Sequence, residues 1–293
     1  AVRIAKEEQY EFIKVYTWLN EETFKAVIDE AEKQNMKVVG HIPVAFEGKP
    51  AKDFFIPYFG LIAHAEELSK QTDDHSYEKA QEFAQLAKEN DTWLIPNLTN
   101  MESIIKQAKS LKNIESLASF KYVHPLMQSK WLTANNFEGA SATLLEYFQK
   151  QADFHKLIVK AFKEAGVPMV TGTDAGISGV VWGFSLHDEL TLLVKAGLTH
   201  EEALASATRL GAEWLEIEDK IGTIESGKFA DLVLLDKNPL EDINNTRSIS
   251  GVFVNGKWLD KNKIDTLLSD VEKWNNAHKE TYNWKELLNS LKN

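Results

Sequence analysis

Apolar positions along the first hundred residues switch repeatedly between strand-like runs and helical spacing. Residues 12–16, Phe-Ile-Lys-Val-Tyr, form a short apolar run that reads as a buried strand. Asn20 then offers a side-chain acceptor at a helix start, with Glu21 and Glu22 favourable in the first turn. Phe24, Val27, Ile28 and Ala31 follow at helical spacing and make one apolar stripe. Residues 37–42 and 60–64 read as the next two strands. A second amphipathic helix runs through Tyr77, Ala80, Phe83, Ala84 and Ala87, and residues 92–97 give another strand, closed by Pro96.

The alternation then breaks. Between Asn97 and the strand predicted at 167–174 lie helical patterns and an irregular stretch, 121–138, that carries His124, Pro125, Met127 and Trp131. This is longer than a single strand–helix step requires. It reads equally as a lid over one end of a barrel or as an extra helical pair on the outside. Leu186, Leu190, Leu193 and Val194 then mark a helix, and Thr199 with Glu202 has capping-box spacing at the head of another. From Ile221 the period changes to strands, expected at 222–224 and 230–236. Asn255-Gly256 between two apolar runs is a two-residue hairpin signal. The tail from about Lys261 is amphipathic and predicted helical. No internal repeat or low-complexity segment is present.

Alternating strands and helices indicate an α/β fold with a parallel sheet. Histidines at strand ends suit a (β/α) barrel, and no glycine-rich phosphate turn supports the rival, a doubly wound open sheet. The expected organisation is a partial barrel over 1–219, part of a small β-sandwich over 220–260, and a helical tail over 261–293.

Composition narrows the function. A formal net charge of −11, with no basic run, argues against a general grip on nucleic acid. No apolar run reaches membrane-spanning length. With no cysteine, disulfides and thiolate metal sites are excluded, so any metal must take nitrogen and oxygen ligands. The chain begins at Ala1 and enters a strand almost at once, which points to processing or truncation. The missing leader therefore assigns no compartment, the cytoplasm being only the default.

Lys14, His41, His64 and Asp174 share one structural address, in or just after a predicted strand. In a parallel barrel such residues converge on the carboxyl-end face. Two imidazoles, a carboxylate and a lysine there can hold a cation and activate water. Each alone has a plainer reading: a hydrogen-bonded structural histidine, a lysine lying along apolar surface, an aspartate capping the next helix.

Residues 171–176, Thr-Gly-Thr-Asp-Ala-Gly, with 184–190, Phe-Ser-Leu-His-Asp-Glu-Leu, resemble the last barrel strand and following helix of amidohydrolases related to imidazolonepropionase. Residues 196–208 and the run Gly-Thr-Ile-Glu-Ser-Gly-Lys-Phe-Ala-Asp-Leu-Val at 222–233 extend the likeness, as do 12–16, 40–43 and 63–66 as the family's fourth, fifth and sixth strands. The resemblance implies that His41 and His64 bind metal and that Asp174 both binds metal and shuttles a proton to the leaving nitrogen. Lys14 would match the lysine that bridges two metals once carboxylated. Tyr16, Asn97, His124 and His187 are candidates for substrate contact, with Glu189 beside His187. The implied cofactor is a divalent metal, zinc before manganese or iron, as one or two ions. The implied reaction is hydrolysis of a C–N bond in a cyclic or dipeptide-like small amide by metal-activated water.

One departure from the family pattern matters. The His-X-His pair that ends the family's first strand occurs nowhere in the chain. About five of eight barrel strands are then expected, with open edges. This predicts a weakly active or inactive piece that associates with a second copy or with a complementing N-terminal segment. The alternative is a non-catalytic remnant or partner subunit that keeps the fold without turnover.

Overall fold

The computed structural model describes residues 1–291; the last two residues of the tail lie outside that range. In chain order the helices are α1 (Val2–Glu7), α2 (Glu21–Lys33), α3 (Ala65–Ser69), α4 (Tyr77–Glu89), α5 (Leu98–Lys109), α6 (Lys112–Glu115) and α7 (Pro125–Thr133). They continue as α8 (Ala142–Ala165), α9 (Phe184–Lys195), α10 (His200–Ser206), α11 (Arg209–Leu215), α12 (Lys261–Ala277) and α13 (Trp284–Ser290). The strands are β1 (Phe12–Val15), β2 (Lys37–Gly40), β3 (Phe59–Ala63), β4 (Trp93–Ile95), β5 (Leu232–Leu235), β6 (Ile249–Val254) and β7 (Lys257–Asp260). The chain divides into two compact units, each assembled from several segments. Among the described residues no helix is long and apolar enough to cross a membrane.

The first unit comprises residues 1–98, 150–172 and 193–211. Its sheet is parallel in the order β1-β2-β3-β4, so each strand pairs with the next in sequence and the order never reverses. An order without reversal is what a barrel wall has and a doubly wound sheet lacks. The predicted fifth strand is reduced to a single parallel bridge between Met169 and Leu94, with Val170 N–H donating to Leu94 O at 2.9 Å. Pro168 has no N–H to give a ladder, which helps explain so short a pairing. Asn20 caps α2 through Thr23 N–H at 2.7 Å, and the Thr199–Glu202 capping box forms at α10. The α2 stripe enters the core through Phe24, fully buried with its ring edge-on to Phe46 at 5.3 Å and Phe59 at 5.2 Å.

The second unit comprises residues 99–149, 173–192 and 212–291 of the described chain. It holds an antiparallel sheet in the order β5-β6-β7. Val254 pairs with Lys257 across the two-residue loop at Asn255 and Gly256, both at positive φ, the geometry a tight hairpin requires. The strand expected at 222–224 does not form; that stretch is bend and loop, stopped at Gly222, which sits at φ +94°. The stretch read as a lid or extra helical pair contains α5, α6 and α7, and within it the buried Ile114, Phe120, Val123 and Trp131 pack with Val181.

Candidate metal site at the strand ends

Within the first unit, the exits of neighbouring strands are tied together by backbone hydrogen bonds. His41 N–H donates to Val15 O at 3.1 Å and Val44 N–H to Thr17 O at 3.0 Å, which joins the end of β2 to that of β1. His64 N–H donates to Ile95 O at 2.8 Å and Ala65 N–H to Pro96 O at 3.0 Å, which joins β3 to β4. Gly40 permits the first of these, because a Cβ there would stand 2.1 Å from the Val15 carbonyl oxygen. His64 leaves its strand at φ 79°, ψ 127°, and Asn97, just past β4, sits at φ 52°. Residues with a Cβ hold such angles only where their surroundings over-determine them.

This stitching brings four of the predicted residues into one cluster. The His41 and His64 rings meet edge to face with centroids 4.9 Å apart, each residue 9% exposed. Tyr16, 55% exposed, lays its ring 4.3 Å from that of His41, and Lys14 Nζ lies 5.9 Å from the Tyr16 ring centre. Two buried adjacent imidazoles suit the nitrogen share of a zinc-type site. Among the described residues no group of three or more His, Asp or Glu side chains is placed to complete one, so the pair offers two imidazoles and not a full ligand set.

The pair is backed by a carboxylate that sequence reasoning passed over. Glu67, on α3 and 1% exposed, places Oε1 3.1 Å from His41 Nδ1, while its Oε2 accepts from Ile42 N–H at 3.1 Å. Lys70 Nζ donates to Oε1 at 3.0 Å, and Thr17 Oγ1 stands 3.2 Å from the same His41 nitrogen. Burial pushes the Glu67 carboxyl up, but the hydrogen bond from His41 and the Lys70 ammonium outweigh it and hold it below the usual range. The only signal in the sequence is the i, i+3 step from His64 to Glu67, which a run of two glutamates at a helix start disguises as dipole complementarity. His155, 2% exposed, places Nε2 2.9 Å from Ser69 Oγ on the same helix. Burial, with help from the nearby His75, Lys70 and His64, lowers the His155 pKa to about 3, so it is neutral at ordinary pH.

The other predicted residues have different settings. Asn97 is buried within the first unit, its side chain beside Gly172. Asp174 belongs to the second unit, exposed and at φ 50°. His124, also in that unit, accepts from Leu126 N–H at 3.2 Å and caps α7, its ring facing Tyr282 at 4.8 Å. His187 is half-buried on α9, with Nδ1 2.9 Å from Thr246 Oγ1. Burial first, then Arg247, lowers its pKa. Glu189, fully buried on the same helix, accepts from Thr99 N–H at 2.8 Å.

The profile of the amidohydrolase family matches residues 17–259. A 5'-deoxyadenosine deaminase of Methanobrevibacter smithii is 35% identical over 115 residues, which are 35% of this chain and 26% of the deaminase. An imidazolonepropionase of Maricaulis maris is 38% identical over 105 residues, 34% of this chain and 26% of that enzyme. Among solved structures, a bottromycin amidohydrolase superposes with a TM-score of 0.71 at 22% identity, covering 94% of this chain and 61% of the other. A Xaa-Pro dipeptidase gives 0.62 at 24% identity, covering 89% and 57%. The chain thus spans less than two thirds of each of these relatives.

Proposed function

Since the chain belongs to the amidohydrolase family, we propose that it carries part of the catalytic machinery for metal-dependent hydrolysis of a C–N bond in a small cyclic or dipeptide-like amide. The observation that carries this reading is the buried His41–His64 pair at the ends of adjacent parallel strands. By the same reasoning β1 to β4 and the bridge at Met169 correspond to about the last five strands of a (β/α) barrel. Residues 220–260 then belong to a small β-sandwich and the described residues from 261 onward to a helical tail.

A divalent cation of the zinc, manganese or iron class would supply Lewis acidity, polarising the amide carbonyl and acidifying water. His41 and His64 would hold it through ring nitrogens. Asp174, by its place in the matched motif, would accept the proton of the attacking water and return it to the departing nitrogen. Lys14 would add an anionic oxygen ligand if its amine is carboxylated. The exposed Tyr16 ring beside His41 offers an aromatic wall for substrate, and Asn97 a buried amide.

Elemental analysis of protein purified without chelators, beside a His41→Ala/His64→Ala double variant, tests the reading. Stoichiometric metal in the parent and its loss in the variant are expected, and screening of small amides follows. Absence of metal from both would remove the catalytic reading. A second reading, a ligand-holding or partner subunit without turnover, is favoured by the two-imidazole count of the cluster. Metal uptake without hydrolysis of any amide in the screen would select it.

A further inference from the structure

Glu67 makes more directed contacts than charge pairing on a five-residue helix needs. Its two oxygens face His41 Nδ1, Ile42 N–H and the Lys70 ammonium, all from a position 1% exposed. We infer that Glu67 is a positioning residue that fixes His41 as the Nδ1–H tautomer, leaving the Nε2 lone pair as the ring's only basic site.

An ionised carboxylate has lone pairs and no proton to give. At 3.1 Å a bare Nδ1 would set one lone pair against another, whereas an Nδ1–H donates. The Thr17 hydroxyl at 3.2 Å does not decide the matter, because its proton rotates to suit either tautomer. Nor can the carboxylate swing aside. Its second oxygen is held by the backbone N–H of Ile42, the residue after the imidazole it orients. Helix α3 is anchored at its far end by Ser69, which donates to Glu66 O at 2.9 Å and meets the buried His155 at 2.9 Å. The helix begins directly after His64, so the segment that follows one imidazole holds the other in register. A metal-binding histidine needs this condition: one nitrogen hydrogen-bonded, the other bare and aimed. The use of the tautomer rests on the metal reading above; the tautomer itself does not.

The test is nitrogen NMR of the metal-free full chain labelled with 15N-histidine, with the His41 signals assigned by their loss in His41→Gln. The neutral wild-type ring is expected to carry its proton on Nδ1. Glu67→Met, similar in length but with no acceptor, is expected to populate both tautomers and to bind Zn2+ about 10–100-fold more weakly. Glu67→Gln, which keeps an acceptor oxygen, is expected to recover the Nδ1–H form, and Lys70→Met to leave it unchanged. A wild-type His41 protonated on Nε2 overturns the inference whatever the variants do, and so does a folded Glu67→Met that retains the wild-type tautomer. An Nδ1–H His41 in a chain that takes up no zinc would overturn the metal reading and leave the role of Glu67 standing.

Discussion

Replacing Gly40 with alanine tests whether the exit of β2 is built as described. Gly40 sits at φ +132°, and an added Cβ would lie 2.1 Å from Val15 O, 3.0 Å from Val15 N and 3.1 Å from Val15 C. The first distance is roughly 1 Å inside the closest approach that Cβ atoms make, and the obstacle is backbone. Three costs follow. The conformation costs alanine about 1–3 kcal/mol. Forcing the strands apart costs about 1–3 kcal/mol. The hydrogen bond from His41 N–H to Val15 O, now 3.1 Å, is weakened or lost at about 0.5–1.5 kcal/mol. Together they predict a loss of about 3 kcal/mol or more, or a melting temperature lower by about 6–12 °C at this chain length. Gly48→Ala is the control, since Gly48 also has positive φ, +74°, but nothing lies within 4 Å of its Cβ position. It should cost only about 1–2 kcal/mol. Thermal unfolding followed by near-ultraviolet circular dichroism at one protein concentration measures both. Equal shifts for the two variants would refute the close approach of β1 and β2 at His41.

His155 makes stability depend on pH with a definite sign. Its folded pKa, about 3, is below the ordinary 6.5, so between those values the unfolded chain binds a proton that the folded chain refuses, and stability falls as pH falls. From pH 6.5 to 5 that is about 1.6 kcal/mol, less than the full slope because the unfolded imidazole is only half protonated at pH 6.5; His155→Gln should escape this share, and parallel urea titrations of both proteins at the two pH values would expose its absence. Trp131→Ala should cost about 3–5 kcal/mol, because Trp131 is 1% exposed and its Nε1–H donates to Gly176 O at 3.2 Å. A shift in urea midpoint worth less than 1 kcal/mol would contradict that packing. Light scattering is expected to find self-association, because β1 stands at the end of the strand order in its sheet among the described residues and Tyr16, Trp18, Val233, Leu234 and Trp258 are exposed; a monodisperse monomer would count against it.

The parts legible in the sequence were those fixed by local pattern. Strands β1 to β4 fall within a residue or two of the apolar runs, and the Asn20 cap, the Thr199–Glu202 box and the Asn255-Gly256 hairpin all form, because each is decided by neighbours in the chain. Segments whose pairing depends on distant partners were less legible: 167–174 keeps one bridge, and 222–224 forms no strand despite its motif. The same division holds at the site. Of the four residues named from strand ends, Lys14, His41 and His64 cluster, with Tyr16 beside them. Glu67 and His155 could not, since their meaning arises from partners 26 and 86 positions away, His41 and Ser69. His124, which stands before Pro125 in an irregular stretch, caps α7 through Leu126 N–H.

His64 illustrates a tension for anyone wishing to make this protein sturdier. A search for stabilising replacements would rank it early, since glycine tolerates φ 79°, ψ 127° and would relieve about 1–3 kcal/mol of backbone strain. The same exchange deletes one of the two imidazoles. Stability-driven optimisation, left to itself, would therefore dismantle the cluster at the position where the fold has been bent to accommodate it.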